Sequence, residues 1–221
     1  MRDEPGAPPY LMIDGLEALL GLVHFGVVEL HVWGARADRL DRPDVVVLDL
    51  DPAPDVPWSR VATTAQRLRA RVSELGLVPF LRATGGKGLH VVVPLARRAG
   101  WDEVKALALG LAQELVREEP KRYTAKLAKD KRGGKVFIDY LRNAPHATAV
   151  APWSVRARDG APVALPLPWE ALEVKGRPAP VSLRGVIELL DAGMTDAWAG
   201  FDAARRPLTR PMLASLAAAS E

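Results

Sequence analysis

The chain has 221 residues, 48% hydrophobic and 26% charged, which supplies a sizeable core and excludes global disorder. It contains no cysteine, which excludes disulfides and thiolate metal sites and is compatible with the reducing cytoplasm where we expect the protein. The formal net charge is only +3. The first ten residues, MRDEPGAPPY, lack a signal-peptide pattern, and LEALLGLVHFGVVEL is too short and interrupted to span a bilayer, so no membrane partner is expected.

The first predicted elements are a helix and a short strand. MIDGLEALLGLVHFG indicates a helix, with Asp14 as the expected N-cap and Glu17 completing a capping box. ELHVW indicates a strand with Glu29, His31 and Trp33 on one face, which makes His31 a polar group on a half-exposed strand.

The segment VVVLDLDP predicts a central strand covered on both faces, because its residues are apolar at successive positions. Asp49 and Asp51 are two positions apart and project from one side of it. In one interpretation Asp51 begins a turn and backbone donors satisfy Asp49. In the other the pair forms a hard-cation site, because Mg²⁺ and Mn²⁺ prefer oxygen ligands. A third acid, Asp139, ends the strand KVFIDYL and is a further candidate ligand. Its alternatives are a strand-end cap and an ion pair with Arg142.

A glycine-rich hairpin is predicted between the strands LVPFLRAT and LHVVVPL, after an amphipathic helix over 61–75. Its sequence, ATGGKGLHV, does not have the Walker A spacing. Three glycines nevertheless expose backbone N–H groups, and Lys87 adds a point charge, so the loop could cradle a triphosphate. His90, three residues after Lys87, is either a structural strand histidine or a phosphate contact. The alternative for the whole loop is an ordinary hairpin.

Two further basic features concern phosphate binding. Arg156 and Arg158 alternate onto one face of SVRAR. PKRYTAKLAKDKRGGK carries seven Lys or Arg against one Asp, and is either a solvated loop or a contact with a phosphate backbone. Together with strands that follow one another through hairpins, the elements favour an α+β fold with a largely antiparallel or mixed sheet.

In chain order, VVVLDLDP, RATGGKGLHVVVPL, KVFIDYLRN and TAVAPWSVRAR resemble the polymerase domain of bacterial ATP-dependent DNA ligase D, a member of the archaeo-eukaryotic primase superfamily. The resemblance runs from about Tyr10 to DAWAGFDAARRPL. Each segment alone is a weak signal, but the ordered set is specific. The resemblance implies one primase-like domain over residues 1–221, with a central sheet flanked by helices.

The resemblance also implies an activity and its residues. The activity is template-dependent nucleotidyl transfer to 3′ ends at DNA breaks or gaps in non-homologous end joining, with ribonucleotides preferred and two Mn²⁺ or Mg²⁺ ions required. The implied catalytic and metal-binding residues are Asp49, Asp51 and Asp139. The implied nucleotide contacts are His31, Thr84, Lys87, His90 and Arg156. The candidate DNA contacts are Lys121, Arg122, Lys126, Lys129, Lys131 and Arg132.

The implied partners are DNA ends, nucleoside triphosphates, and a Ku-type protein and DNA ligase. Family members carry a substantial segment before the part that matches YLMIDGLEALL, whereas this sequence begins almost at the match. That difference puts 5′-phosphate recognition in doubt. Two alternatives stay open: a module that binds DNA ends or Ku without extending them, and a phosphatase of the haloacid dehalogenase type, suggested by DLDPA.

Overall fold

The computed structural model describes residues 10–174 and 176–218. Five α-helices lie in this part of the chain: α1 (Leu16–His24), α2 (Trp58–Glu74), α3 (Trp101–Glu118), α4 (Leu183–Asp191) and α5 (Arg210–Ala218). Short 3-10 helices span Lys129–Lys131 and Trp169–Leu172.

Within the same described residues, eight strands form two sheets. They are β1 (His31–Trp33), β2 (Val45–Pro52), β3 (Phe80–Ala83), β4 (Leu89–Pro94), β5 (Tyr123–Thr124), β6 (Val136–Asp139), β7 (Thr148–Val150) and β8 (Pro166–Leu167). The larger sheet has the order β5-β6-β2-β4-β3-β8, and β1 pairs with β7 in the smaller one. Every pairing is antiparallel except that of β5 with β6. The predicted mixed α+β fold is confirmed.

The main core lies between one face of the larger sheet and helices α2, α3 and α5. Val46, Leu48 and Leu50 of β2 point into it and are fully buried. The buried side chains of α2 and α3 meet them there, as the amphipathic pattern over 61–75 predicts for α2. The prediction that β2 is central is confirmed, since it lies between β4 and β6.

The opposite face of the sheet carries a smaller apolar cluster. Val47 and Val92 pack there with Ala149 of β7, and with Trp198 and Phe201 from the segment that precedes α5. The rings of Trp198 and Phe201 stack with centroids 4.8 Å apart. This cluster includes Val47 of β2 but does not extend to Asp49 and Asp51 at the end of the strand.

Three expectations can be compared with this architecture. The capping prediction for α1 is wrong: the N-cap is Gly15, with no side-chain hydrogen bond, so Asp14 does not cap the helix. The phosphatase alternative fails because its motif follows a parallel strand, whereas β2 is antiparallel to both neighbours.

Within the described ranges, no helix is long and apolar enough to cross a membrane. The predicted single domain over 1–221 also takes in residues outside those ranges and stays a prediction.

Candidate functional site

A row of four polar side chains crosses the face of the sheet opposite α2 and α3. Arg82 of β3 is paired with His90 of β4, and His90 with Asp49 of β2. Asp49 is paired in turn with Asp139 of β6. Residues directly opposite one another on antiparallel strands project from the same face. Strand register alone therefore brings together three of the predicted site residues, along with Arg82.

Asp49 lies at the centre of the row. Its Oδ1 is 3.4 Å from His90 Nε2, and its Oδ2 is 3.6 Å from Arg142 Nε. Burial disfavours ionisation of Asp49, but His90 and Arg142 more than offset this and lower its pKa. Burial lowers the pKa of His90, although the neighbouring Asp49 carboxylate opposes this shift.

The other two carboxylates are paired less favourably. Burial and the negative charge of Asp49 raise the pKa of Asp51, whose Oδ2 lies 3.4 Å from Arg132 Nη1. Burial is also the main cause of the raised pKa of Asp139. Asp139 Oδ1 accepts a hydrogen bond from the Leu141 N–H at 2.8 Å, and its Oδ2 lies 3.2 Å from Arg142 Nε.

These contacts describe how the three carboxylates are satisfied in this structure. The strand-end cap and the ion pair with Arg142, the two alternatives for Asp139, are both present. Arg142 contacts Asp49 as well as Asp139. Among the described residues, no three His, Asp or Glu side chains are grouped closely enough to hold a metal ion.

The glycine-rich loop joins β3 to β4 and sits beside this row. Thr84 shapes it, because its hydroxyl donates to the Gly88 carbonyl at 3.1 Å and accepts from the Gly86 N–H at 3.3 Å. Gly85 has a φ of +67°, which favours glycine. A Cβ on Gly88 would collide with the carbonyl oxygen of Leu50, so the loop closes tightly onto β2. Lys87 at its tip is exposed.

A second group of charged residues faces the loop. Arg156 Nε lies 2.9 Å from Glu29 Oε1, and an Nη1–H of Arg156 donates to the Thr84 carbonyl. Glu29 Oε1 is also 2.6 Å from His31 Nε2. Burial opposes ionisation of Glu29, but its hydrogen bonds with His31 and Arg156 prevail and lower its pKa to about 2. Glu29 thus links two predicted nucleotide contacts.

An open cavity of about 300 Å³ joins these pieces. The predicted residues that line it are His31, Asp49, Asp51, Thr84, Lys87, His90 and Arg156. Arg142 and Arg158 also line it, so four cationic side chains surround a pocket with two carboxylates at its floor. This composition suits a polyanion that is held together with a cation.

The predicted DNA contacts lie on the segment between α3 and β6. Lys121, Arg122, Lys126 and Lys131 are exposed, although Arg122 pairs with Glu119 at 2.8 Å. The side chain of Lys129 lies outside the described part of the molecule. Arg132 is not a freely solvated side chain. Its guanidinium lies 3.7 Å from the Phe137 ring centroid and contacts Asp51.

Three residues of the site were not singled out as functional from the sequence. Glu29 was placed on the same strand face as His31, but no acidic role was assigned to it. Arg82 lies in an apolar strand, and its burial is set by tertiary packing that sequence alone does not show. Arg142 was considered only as a partner of Asp139, although it contacts Asp49 too.

The sequence of the chain matches known proteins over most of its length. The family model "LigD, primase-polymerase domain" matches residues 1–198. The chain is 44% identical over 211 residues to the multifunctional non-homologous end joining protein LigD of Pseudomonas aeruginosa, covering 95% of this chain and 25% of that protein. The LigD protein of Mycolicibacterium smegmatis is 34% identical over 169 residues, covering 76% of this chain and 22% of its own length.

The fold agrees with a solved structure, the polymerase domain of Mycobacterium tuberculosis Ligase D in complex with DNA. The TM-score is 0.78 at 28% sequence identity, over 90% of this chain and 76% of that one. The chain spans about a quarter of the length of the curated relatives named above. The sequence match over residues 1–198 and the shared fold show that the chain belongs to the LigD primase-polymerase domain family.

Proposed function

We propose that the chain is a template-dependent nucleotidyltransferase that extends 3′ ends at DNA breaks or gaps in non-homologous end joining, preferably with ribonucleotides. The observation that carries the proposal is the cavity of about 300 Å³, where the aspartates of β2 face the glycine-rich loop and Arg156. Membership of the LigD primase-polymerase family supports the reaction class.

Two divalent ions, Mn²⁺ or Mg²⁺, are part of the proposal. The donor chemistry fits, because Asp49, Asp51 and Asp139 offer carboxylate oxygens from neighbouring strands. Bound ions would supply positive charge to the primer 3′-oxygen and to the triphosphate. The carboxylates now contact Arg142 and Arg132, so ion binding requires these side chains to give way. Asp51 and Asp139, whose pKa values are raised, would gain most from added positive charge.

The remaining cavity residues bind and orient the nucleotide in this proposal. The backbone N–H groups of the glycine-rich loop and the Lys87 ammonium face a polyphosphate, and Arg156 neutralises it from the opposite wall. His31, on the rim of the cavity, contacts the sugar. Charge that moves onto the leaving pyrophosphate in the transition state is stabilised by Lys87, His90 and Arg156.

The DNA partner is proposed to lie along the basic segment, with phosphates contacting Lys121, Lys126 and Lys131. The related polymerase domain from Mycobacterium tuberculosis was solved in complex with DNA, which supports a DNA substrate. A Ku-type protein and a DNA ligase are proposed partners because the relatives are named as end-joining proteins.

Primer extension on gapped and 3′-overhanging duplexes with Mn²⁺ tests the function. We expect incorporation, faster with ribonucleotides than with deoxynucleotides. Asp49→Ala and Asp139→Ala should each reduce it by about a hundredfold to a thousandfold, the scale on which removal of one charge-stabilising group acts. Asp191→Ala, an exposed residue at the end of α4, is the matched control and should extend normally. Equal extension by all three variants would contradict the proposal.

A second candidate function is DNA-end or Ku binding without nucleotide incorporation. The contacts of Arg142 with both Asp49 and Asp139 favour it, since they neutralise the carboxylates without a metal ion. The same extension assay separates the two functions. A folded chain that binds gapped duplex in a gel-shift assay, but incorporates no nucleotide with either metal, supports this second candidate.

A further inference from the structure

His90 and Arg82 form a buried pair at one end of the polar row. Each is only 3% exposed, and His90 Nδ1 lies 2.6 Å from Arg82 Nη2. The other ring nitrogen, Nε2, faces Asp49 Oδ1 at 3.4 Å beside the cavity. The two nitrogens of His90 therefore meet groups of opposite chemistry, one a cation and the other a carboxylate.

The arginine determines which nitrogen of His90 carries the proton. A guanidinium has five N–H donors and no acceptor. Burial lowers the pKa of Arg82 to about 10, which still leaves the group protonated at neutral pH. If Nδ1 of His90 carried its proton, two N–H donors would face each other at 2.6 Å. A neutral imidazole avoids this by accepting at Nδ1 and keeping its proton on Nε2.

The position of Arg82 is itself fixed by an aromatic neighbour on the same face of the sheet. Its guanidinium lies 5.7 Å from the Trp198 ring centroid, within the range of a cation–π contact. Trp198 is anchored in turn by a hydrogen bond from its Nε1–H to the Leu81 carbonyl at 2.8 Å. The side chain therefore has little freedom to move away from His90.

We propose that Arg82 is a positioning residue that holds neutral His90 as the Nε2–H tautomer, with that N–H aimed at Asp49 and the cavity. In this state Nε2 is a donor only. It can hold a carboxylate or phosphate oxygen, but it can neither accept a proton nor ligate a metal ion. The part of this inference that concerns phosphate rests on the proposed function, whereas the tautomer does not.

Nitrogen NMR of the full ¹⁵N-labelled chain at neutral pH, without nucleotide or metal, tests the tautomer directly. His90→Gln identifies the His90 signals among those of the four histidines. We expect a protonated Nε2 and an unprotonated Nδ1. A protonated Nδ1, an averaged pair or a doubly protonated ring would overturn the assignment.

Two substitutions then test the role of Arg82. Arg82→Lys keeps a donor-only cation and should preserve the Nε2–H signature. Arg82→Met removes the donor, so the His90 signals should move toward a mixture of tautomers. Arg69→Met is the matched control, because Arg69 also lies over a tryptophan ring, at 4.9 Å from the Trp169 centroid, but is exposed and far along α2. An unchanged His90 spectrum in Arg82→Met would contradict the role. If that variant does not fold, the parent and Arg82→Lys spectra decide.

Nucleotide binding provides the functional readout. ATP titrated into Arg82→Met should bind about tenfold more weakly than to the parent, the loss expected when one oriented hydrogen bond to a charged group is removed. Arg82→Lys should stay within about threefold. If the parent shows the predicted tautomer but binds no ATP, the proposed function fails and the positioning role stands. If ATP binds equally to Arg82→Met and parent, the role in phosphate binding is wrong.

Discussion

Glu29 is an ionised carboxylate that connects two parts of the site. It contacts His31 and Arg156 through Oε1, and its Oε2 accepts a hydrogen bond from the Ala157 N–H at 2.9 Å. These groups favour the carboxylate over the acid and depress the folded-state pKa. One acidic side chain thus links β1 to the segment that carries Arg156.

The depressed pKa of Glu29 predicts how stability depends on pH. Because the folded pKa of about 2 lies below the ordinary value of 4.5, the stabilisation is complete above pH 4.5 and is lost as pH falls toward 2. Glu29→Gln should lower the free energy of unfolding by about 1 kcal/mol at pH 6, discounted because Glu29 is partly exposed. Urea unfolding from pH 6 to pH 2 should show the gap closing.

The control for this experiment is Glu188→Gln on the exposed face of α4. It should differ little from the parent at any pH in the series. A gap between Glu29→Gln and the parent that stays constant down to pH 2 would contradict the assigned role of the carboxylate.

Lys87 is the residue expected to act on the nucleotide alone. Lys87→Ala removes a cation from the loop tip without disturbing a buried contact, because the side chain is exposed. The KM for the nucleotide should rise about tenfold, while thermal stability stays unchanged. Lys105→Ala, on α3 away from the cavity, should change neither quantity. An unchanged KM in Lys87→Ala would remove the loop from the proposed nucleotide site.

Asp49, Asp51 and Lys87 could be identified from the sequence because their patterns are local. The two aspartates follow a run of valines and the lysine lies among glycines, so a stretch of ten residues is enough to recognise each pattern. Arg82 and Glu29 could not be identified in this way, because their partners His90 and Arg156 are defined by strand pairing and by the path of a distant segment. Sequence spacing carries no signal for such contacts.

At the scale of elements, the β3–β4 hairpin shows how a glycine pattern becomes a structural constraint. Gly88 lies where the loop closes onto β2, and an added Cβ would meet the Leu50 carbonyl oxygen. This oxygen belongs to backbone in the central strand and has little room to move. A glycine is needed at position 88 because the loop backbone approaches the β2 backbone closely, and not because the residue has a positive φ.

A pair of alanine substitutions tests that constraint. Gly88→Ala should lower the free energy of unfolding by about 1 to 3 kcal/mol, because overpacking forces the backbone to shift. Gly133→Ala is the matched control, since a Cβ there meets nothing within 4 Å, and it should be neutral within about 0.5 kcal/mol. Chemical denaturation measures both. Equal stabilities would show that the hairpin tolerates a side chain at Gly88.

Strand positions were predictable to the extent that alternation and turn residues determine them. The valine run of β2 and the glycine-separated strands β3 and β4 were both expected, and the structure has both. The cap of α1 was not, because the S/T/D/N-x-x-E pattern at Asp14 competes with an extended Gly15 that begins the helix one residue later. Short elements such as β5 and β8 have two residues each and carry no periodicity to detect.

At the scale of the whole molecule, the net charge of +3 hides an uneven distribution. Arg122 and Arg132 of the basic segment are engaged by Glu119 and Asp51, which leaves exposed lysines to meet a phosphate backbone. Helices α2 and α3, by contrast, balance their arginines with glutamates, as in the pairs of Arg67 with Glu118 and Glu119.

Salt dependence measures how many of these lysines contact DNA. If Lys121, Lys126 and Lys131 each neutralise one phosphate, their combined replacement by Ala should reduce the slope of log K against log salt by about 2 to 3. Replacing Arg69 of α2 and Lys105 and Arg117 of α3 by Ala removes the same number of charges and should leave the slope unchanged. Fluorescence anisotropy with gapped duplex gives both slopes. Identical slopes for the two triple variants would exclude the basic segment as the DNA contact.

The row Arg82–His90–Asp49–Asp139 is spaced by the sheet itself, one residue from each of four adjacent strands. A slip of a single position in any pairing would send one member to the helical side. Assembly of this row and completion of the native sheet are therefore one cooperative event. The row cannot be disrupted while the sheet stays intact. Any nucleotide incorporation should therefore decrease in proportion to the folded fraction as the protein is unfolded.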